Sequence, residues 1–166
     1  TDDAASPDDL SARNLLLSQA TSLTQAFAIN TESVAVLADD TYDMTVAATD
    51  RVNALTSAVA KVNEQLRSGS YSTPSLALMD ERDRLLGLLA EEVGISVDFG
   101  SRQEANVRLG INGSGPLLVS GVESQNLFMT RREDQLDVVT GAGRNVTSSA
   151  DSGLLRGAID SYAVTG

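Results

Sequence analysis

Between Leu10 and Ser68 the chain contains neither proline nor glycine. Over the same stretch apolar or small residues recur three and four positions apart, at Leu16, Ala20, Leu23, Phe27, Val34, Leu37, Thr41, Met44 and Ala48. That spacing puts them on one face of an α-helix, in a heptad-like stripe. Val52, Leu55, Val59, Val62 and Leu66 carry the stripe onward. The steps Met44–Ala48–Val52 are four and four, the pattern of a stutter that locally unwinds a coiled coil. Ser6 can cap this helix, Pro7 suits its first position, and Asp8 and Asp9 suit the positive end of its dipole. The expectation is one helix from Pro7 to about Arg67, roughly 90 Å long at 1.5 Å per residue. Asn30-Thr31, both weak helix formers, mark where a break would fall. A single helix of this length cannot bury its own stripe and needs partners.

The run from Ser68 to Pro74 is a polar loop rich in serine and glycine, which stops the first helix. A second helix follows from Ser75 to Glu92. Leu76, Met79, Leu85, Leu86, Leu88 and Leu89 form its apolar side, and Asp80, Glu81, Arg82, Asp83 and Arg84 its polar side. Asp80 and Arg84 stand as an i,i+4 acid–base pair in the favourable order, worth a few tenths of a kcal/mol (~0.3). So short a loop makes the two helices antiparallel neighbours. Asn30 and Arg51 fall at or beside core positions of the long helix. Each is either solvated, with its stem lying along the surface, or faces a partner helix from outside this sequence.

At Gly94 the period changes to two. Ile95, Val97 and Phe99 alternate with polar residues, as do Val107, Leu109 and Ile111, so a hairpin is expected around Gly100–Glu104. Asn112-Gly113 is a turn signal. Strands are expected at Leu117–Ser120, Leu127–Arg131 and Leu136–Thr140, with Arg132, Glu133 and Asp134 between the last two. Gly141–Ser152 reads as a polar loop and Gly153–Ala163 as a short helix. The fold class is therefore α+β: a long antiparallel helical hairpin or bundle, coiled-coil-like, then a small antiparallel β domain and a short returning helix. The expected divisions are a rod-like helical domain at 1–93, a β-rich domain at 94–152, and a helix at 153–166 returning toward the bundle.

Composition narrows the function classes. A net charge of −11 is the wrong sign for nucleic acid or an anionic membrane. The chain has no histidine and no cysteine, which removes disulfides, thiol chemistry, a Ser–His nucleophile and the commonest transition-metal ligand. No window is apolar enough to span a membrane, and no cleavable signal peptide is expected. Aromatics make up only 4%, so the core must rest on Leu, Val and Ala.

No catalytic, cofactor-binding or metal-ligating residue is assigned. Asp80 and Asp83 lie one turn apart, but Arg82 and Arg84 beside them point to a paired, solvated face. Asp39, Asp40 and Asp43 lack the alternating ligands and the glycine of a calcium loop. Gly110–Gly115 connects two strands instead of opening a helix, so it is turn chemistry and not a phosphate loop. Asn145-Val146-Thr147 is a glycosylation sequon.

Particular residues in the helical hairpin add a resemblance. The segments VNALTSAVAKVNEQL and LALMDERDRLLGLLAEEVGISV, separated by a Ser/Gly/Pro loop, resemble the flagellar hook-associated protein 1 family of hook–filament junction proteins. Asn53, Leu55, Ala60, Asn63, Gln65, Leu78, Asp80, Arg82, Asp83, Leu85 and Leu86 match the family pattern. Met79 and Glu81 depart from its more usual Leu and Gln. The similarity extends to ANVRLGINGSGPLLVSG and GLLRGAIDSY, covering about Ser6 to Tyr162. It implies a structural subunit without cofactor that joins hook to filament by lateral packing and transmits torque. The implied partners are copies of itself in a ring, the hook protein, the next hook-associated protein on the filament side, and an export chaperone reached through terminal segments absent here. The implied location is extracellular, on the flagellum, after export by its type III apparatus, which uses no signal peptide. The sequence would then be a core fragment of that family. A related axial subunit (hook-associated protein 3 or a flagellin) and an unrelated coiled-coil interaction module are the alternatives.

Overall fold

The structure, a computed structural model, describes residues 7–69, 75–132 and 135–165. The cap at Ser6, the loop at 70–74 and the turn at Glu133-Asp134 lie outside the described residues. The chain divides into two compact units, Thr1–Leu37 and Ala38–Gly166.

Helix α1 runs from Pro7 to Ser68 without interruption, so no break falls at Asn30-Thr31. Hydroxyls along this stretch are turned back onto the helix. Thr21, Thr24, Thr31 and Ser33 each donate to the carbonyl four residues earlier at 2.9 Å. In the first unit every side chain from Leu10 to Leu37 is exposed.

In the second unit α1 presents a close-packing face of small and polar residues. Thr45, Thr49, Thr56 and Asn63 are buried beside Ala48, Val52, Val59 and Ala60. The threonines satisfy themselves locally: Thr45 donates to Tyr42 O at 2.6 Å, Thr49 to Thr45 O at 2.8 Å and Thr56 to Asn53 O at 3.0 Å. Thr41 and Ala48 lie inside as the spacing requires, but Met44 is 66% exposed. The stripe therefore turns away from the core at that position.

Helix α2, Leu76–Glu92, buries Arg82, Leu85, Leu86 and Leu89. This corrects its expected faces. Leu76 and Leu88 are exposed, whereas Arg82, assigned to the polar side, is only 5% exposed. The pairing is corrected too, since Arg84 engages Glu81 at 2.8 Å instead of Asp80.

Four strands follow in the order β1 (Ile95–Phe99), β2 (Ala105–Leu109), β3 (Leu117–Ser120), β4 (Glu123–Ser124), all antiparallel. Strands β5 (Leu127–Arg132) and β6 (Gln135–Thr140) make a separate two-stranded sheet. Ile111 is not part of β2: the strand ends at Leu109, Gly110 turns at φ +87°, and Ile111 is 62% exposed. The short strand β4 carried no sequence signal. The loop expected to be polar throughout holds a 3-10 turn at Thr147–Ser149 and buries Val146 and Ala150 on either side of it.

Helix α3, Gly153–Thr165, packs on α2 and β6. It buries Leu155, Ile159 and Tyr162. Its entry needs glycine: Gly153 sits at φ +86°, and a Cβ there would lie 2.7 Å from the Glu92 backbone. The buried apolar residues of α1, α2, α3 and both sheets form one continuous core.

The corrected α2 faces give a paired prediction. Leu85→Asp places a charge among buried apolar groups and should lower stability by about 4 kcal/mol or more. Leu88→Gln should change it by about 1 kcal/mol or less. Urea unfolding followed by circular dichroism reads both, and equal effects would reject the assigned core face.

Candidate functional site

The acidic and glycine-rich motifs do not converge on a reactive centre. Asp39, Asp40 and Asp43 lie on α1, where Asp39 is engaged by Arg131 at 2.7 Å. Gly110–Gly115 forms the β2–β3 turn, with Gly110 and Gly113 at positive φ. The residues of the sequon are structural: Asn145 bridges Val139 and accepts from Thr147 N at 3.0 Å, while the Thr147 hydroxyl accepts from Val138 N at 2.9 Å. Asp80 and Asp83 are exposed. Among the described residues no group of three or more Asp or Glu side chains is placed to hold a metal ion. No described helix is long and apolar enough to cross a membrane.

Glu81 has its carboxyl held below the usual range by its hydrogen bond to Arg84. A depressed carboxylate stabilises the fold above the ordinary carboxylate range, and that contribution fades as pH falls through the lowered value. The pair is solvent-exposed, so screening leaves little of it.

What the second unit does build is a set of polar clamps radiating from α1. The Asn63 carboxamide, fully buried, donates from Nδ2 to Ala105 O at 2.8 Å and to Gly121 O at 2.6 Å. Its Oδ1 accepts from Ala105 N at 2.8 Å. One turn-set earlier, Asn53 repeats the arrangement on Leu127: Nδ2 donates to Leu127 O and Oδ1 accepts from Leu127 N, both at 2.8 Å. Ala105 opens β2 and Leu127 opens β5. In each case a side-chain amide supplies the donor and acceptor that a neighbouring strand would have supplied. Ten residues separate the two clamps, or about 15 Å along the helix.

Arginines reinforce them. Arg82 reaches from α2 to Gln103 O in the β1–β2 turn, binds Asp83 and lies 4.3 Å from the centroid of the Phe99 ring. Gln103, held there at φ +65°, is a non-glycine residue with positive φ. Arg131 on β5 pairs with Asp39 on α1, with its guanidinium 5.8 Å and 5.4 Å from the rings of Tyr42 and Tyr162. The hydrogen bond to Asp39 raises the Arg131 pKa further. Arg51, which interrupts the apolar stripe, forms a bidentate pair with Glu92 of α2 at 2.7 and 3.0 Å. It therefore finds its partner within the chain.

The first unit offers the opposite kind of surface. Leu16, Leu23, Phe27 and Val34 share one face and are 49–66% exposed. Leu15, Ile29 and Val36 share a second, about 130° around the helix at 100° per residue, and are 56–64% exposed. Asn30, between these faces, is exposed as well. A helix apolar on more than one side is built for more than one neighbour.

A family model described as "Flagellar hook-associated protein FlgK helical domain" matches residues 1–165. The chain belongs to that family. Among solved structures, the flagellar hook junction protein FlgK from Burkholderia pseudomallei is similar at a TM-score of 0.78 and 24% identity, over 90% of this chain. The chain spans 28% of the length of that FlgK. At this identity the likeness shows the fold, and it bears out the α+β architecture of long helix, second helix, antiparallel strands and short closing helix. No curated protein matches the chain.

Asn53, Asn63 and Arg82 are among the residues that carried the resemblance to the FlgK family, but their work was not legible from it. A faint signal existed: two asparagines ten apart, each directly following a core valine of a helix. Asn63→Asp keeps the shape and the acceptor but loses the donor. It takes the donor from the buried Ala105 carbonyl and the half-buried Gly121 carbonyl and adds a buried charge, so it should destabilise by about 3 kcal/mol or more. Glu64→Gln, on the exposed side of the same turn, should stay within about 0.5 kcal/mol. Similar urea midpoints for the two variants would contradict the clamp.

Proposed function

We propose that the chain is the helical core of a non-enzymatic axial subunit that joins hook to filament and transmits torque between them. The observation that carries this reading is the Leu10–Leu37 helix, apolar on two faces and exposed on both. Burying them takes further helices, and a subunit that packs side by side around a tube supplies them. Membership in the FlgK family supports the hook–filament position. Its partners on this reading are copies of itself in a ring, the hook protein on one side and the next hook-associated protein on the other. Residues 1–93 serve as the rod, 94–152 as the outward-facing β portion and 153–166 as the return to the bundle. Export through the flagellar type III apparatus, with a chaperone engaging terminal segments of the full-length protein, places the subunit outside the cell.

Deleting the gene in the source bacterium should leave bare hooks and release filament protein into the medium. Normal filaments and motility would reject the junction role. Restoring the gene with Phe27→Asp and Val34→Asp should reproduce the bare-hook phenotype. The second unit contains neither residue, so melting of the purified variant should match the parent within a few degrees, ~3 °C. Full filaments from this variant would show that the exposed face is not the assembly surface.

A further inference from the structure

The β portion is two pieces, not one. Strands β1–β4 make one sheet and β5–β6 another. Among the described residues no strand of the first pairs with a strand of the second. Each piece has its own amide fastening to α1 and its own arginine. The four-stranded sheet is held by Asn63 at Ala105 and Gly121, with Arg82 gripping its β1–β2 turn. The β5–β6 hairpin is held by Asn53 at Leu127, with Arg131 reaching back to Asp39 of α1. No clamp residue serves both pieces.

We infer that the two sheets open from α1 independently, each released by loss of its own carboxamide, so that one stays seated on the helix while the other lifts. Such a device gives a rod two separate yielding points about 15 Å apart while the helix itself remains intact. The geometry does not make this outcome automatic, because the apolar core runs continuously through both pieces. If that core governed opening, the two sheets would let go together. The amide clamps govern it instead, because a strand-opening peptide that loses its partner has no other group to pair with in the dry interior. The inference rests on the fold and stands apart from the flagellar reading.

Native-state hydrogen exchange on the whole chain tests it, using Asn63→Ser and Asn53→Ser. Asn63→Ser should speed exchange of the protected amides of β1–β3 at least tenfold and leave those of β5–β6 within twofold of the parent. Asn53→Ser should do the reverse. Acceleration of both sheets together by either variant, or of neither sheet by both, would overturn the inference. Should a variant fail to fold, the parent chain decides in graded low urea. Separate exchange isotherms for the two sheets support independent opening, and one shared isotherm from the lowest urea upward contradicts it.

Discussion

A helix has no free backbone groups along its side, so a β-strand cannot extend its ladder onto one. This chain meets that constraint with two carboxamides. Asn53 and Asn63 each present a donor and an acceptor to the first peptide of a strand, at Leu127 and Ala105. Both of those peptides sit in residues that are 0–1% exposed, where an orphaned N–H or C=O would be costly. The rest of the second unit is arranged to let that contact happen. The buried α1 face from Thr45 to Val62 is lined with Thr, Ala and Val, small enough for close approach, and the Thr45, Thr49 and Thr56 hydroxyls bond back onto the helix.

Much of the architecture was readable in one dimension. The absence of Pro and Gly gave the length of α1, the change of period at Gly94 gave the transition to strands, and the pattern placed five of the six described strands to within a few residues. The face assignments on α2 were less legible. Arg82 reads as polar in any pattern, yet its stem is buried because Phe99 and Gln103, 17 and 21 positions further on, fold back to receive it. Leu76 and Leu88 read as core, yet one short helix covers only part of its own circumference. Arg84 chose Glu81 over Asp80, both being within one turn. The buried Val146 and Ala150 were hidden in a segment whose average composition is polar. For Arg82 the deciding partners are distant in sequence, and periodicity carries no information about them.

The candidate site divides along the same line. Nothing in the sequence pointed to a reactive centre. The clamp residues were visible only as letters shared with a family, without a role, because pairing a side-chain amide to a distant strand start leaves no periodic trace. The exposed apolar face of the first unit, in contrast, was legible as part of a stripe that needs the second helix and further partners to bury it. The structure adds its second face, through Leu15, Ile29 and Val36, and shows that Arg51 does not belong to it. The contrast between the units has a physical logic. The second spends its polar groups internally, on amide and arginine contacts that seat each sheet on the helices. The first leaves its large apolar groups exposed.

The chain contains no cysteine, so in the purified chain a single introduced thiol reports on one position without background. Cysteines placed singly at Leu16, Leu23, Phe27 and Ile29 can be challenged with a maleimide in the purified chain and in assembled flagella. The account predicts rapid labelling at all four in the purified chain and at least tenfold slower labelling in the flagellum. Cysteine at Glu64, on the exposed side of α1 in the clamped unit, gives the reference for reagent access. Equal labelling of the four sites in both states would contradict the claim that this helix is the surface through which the subunit assembles.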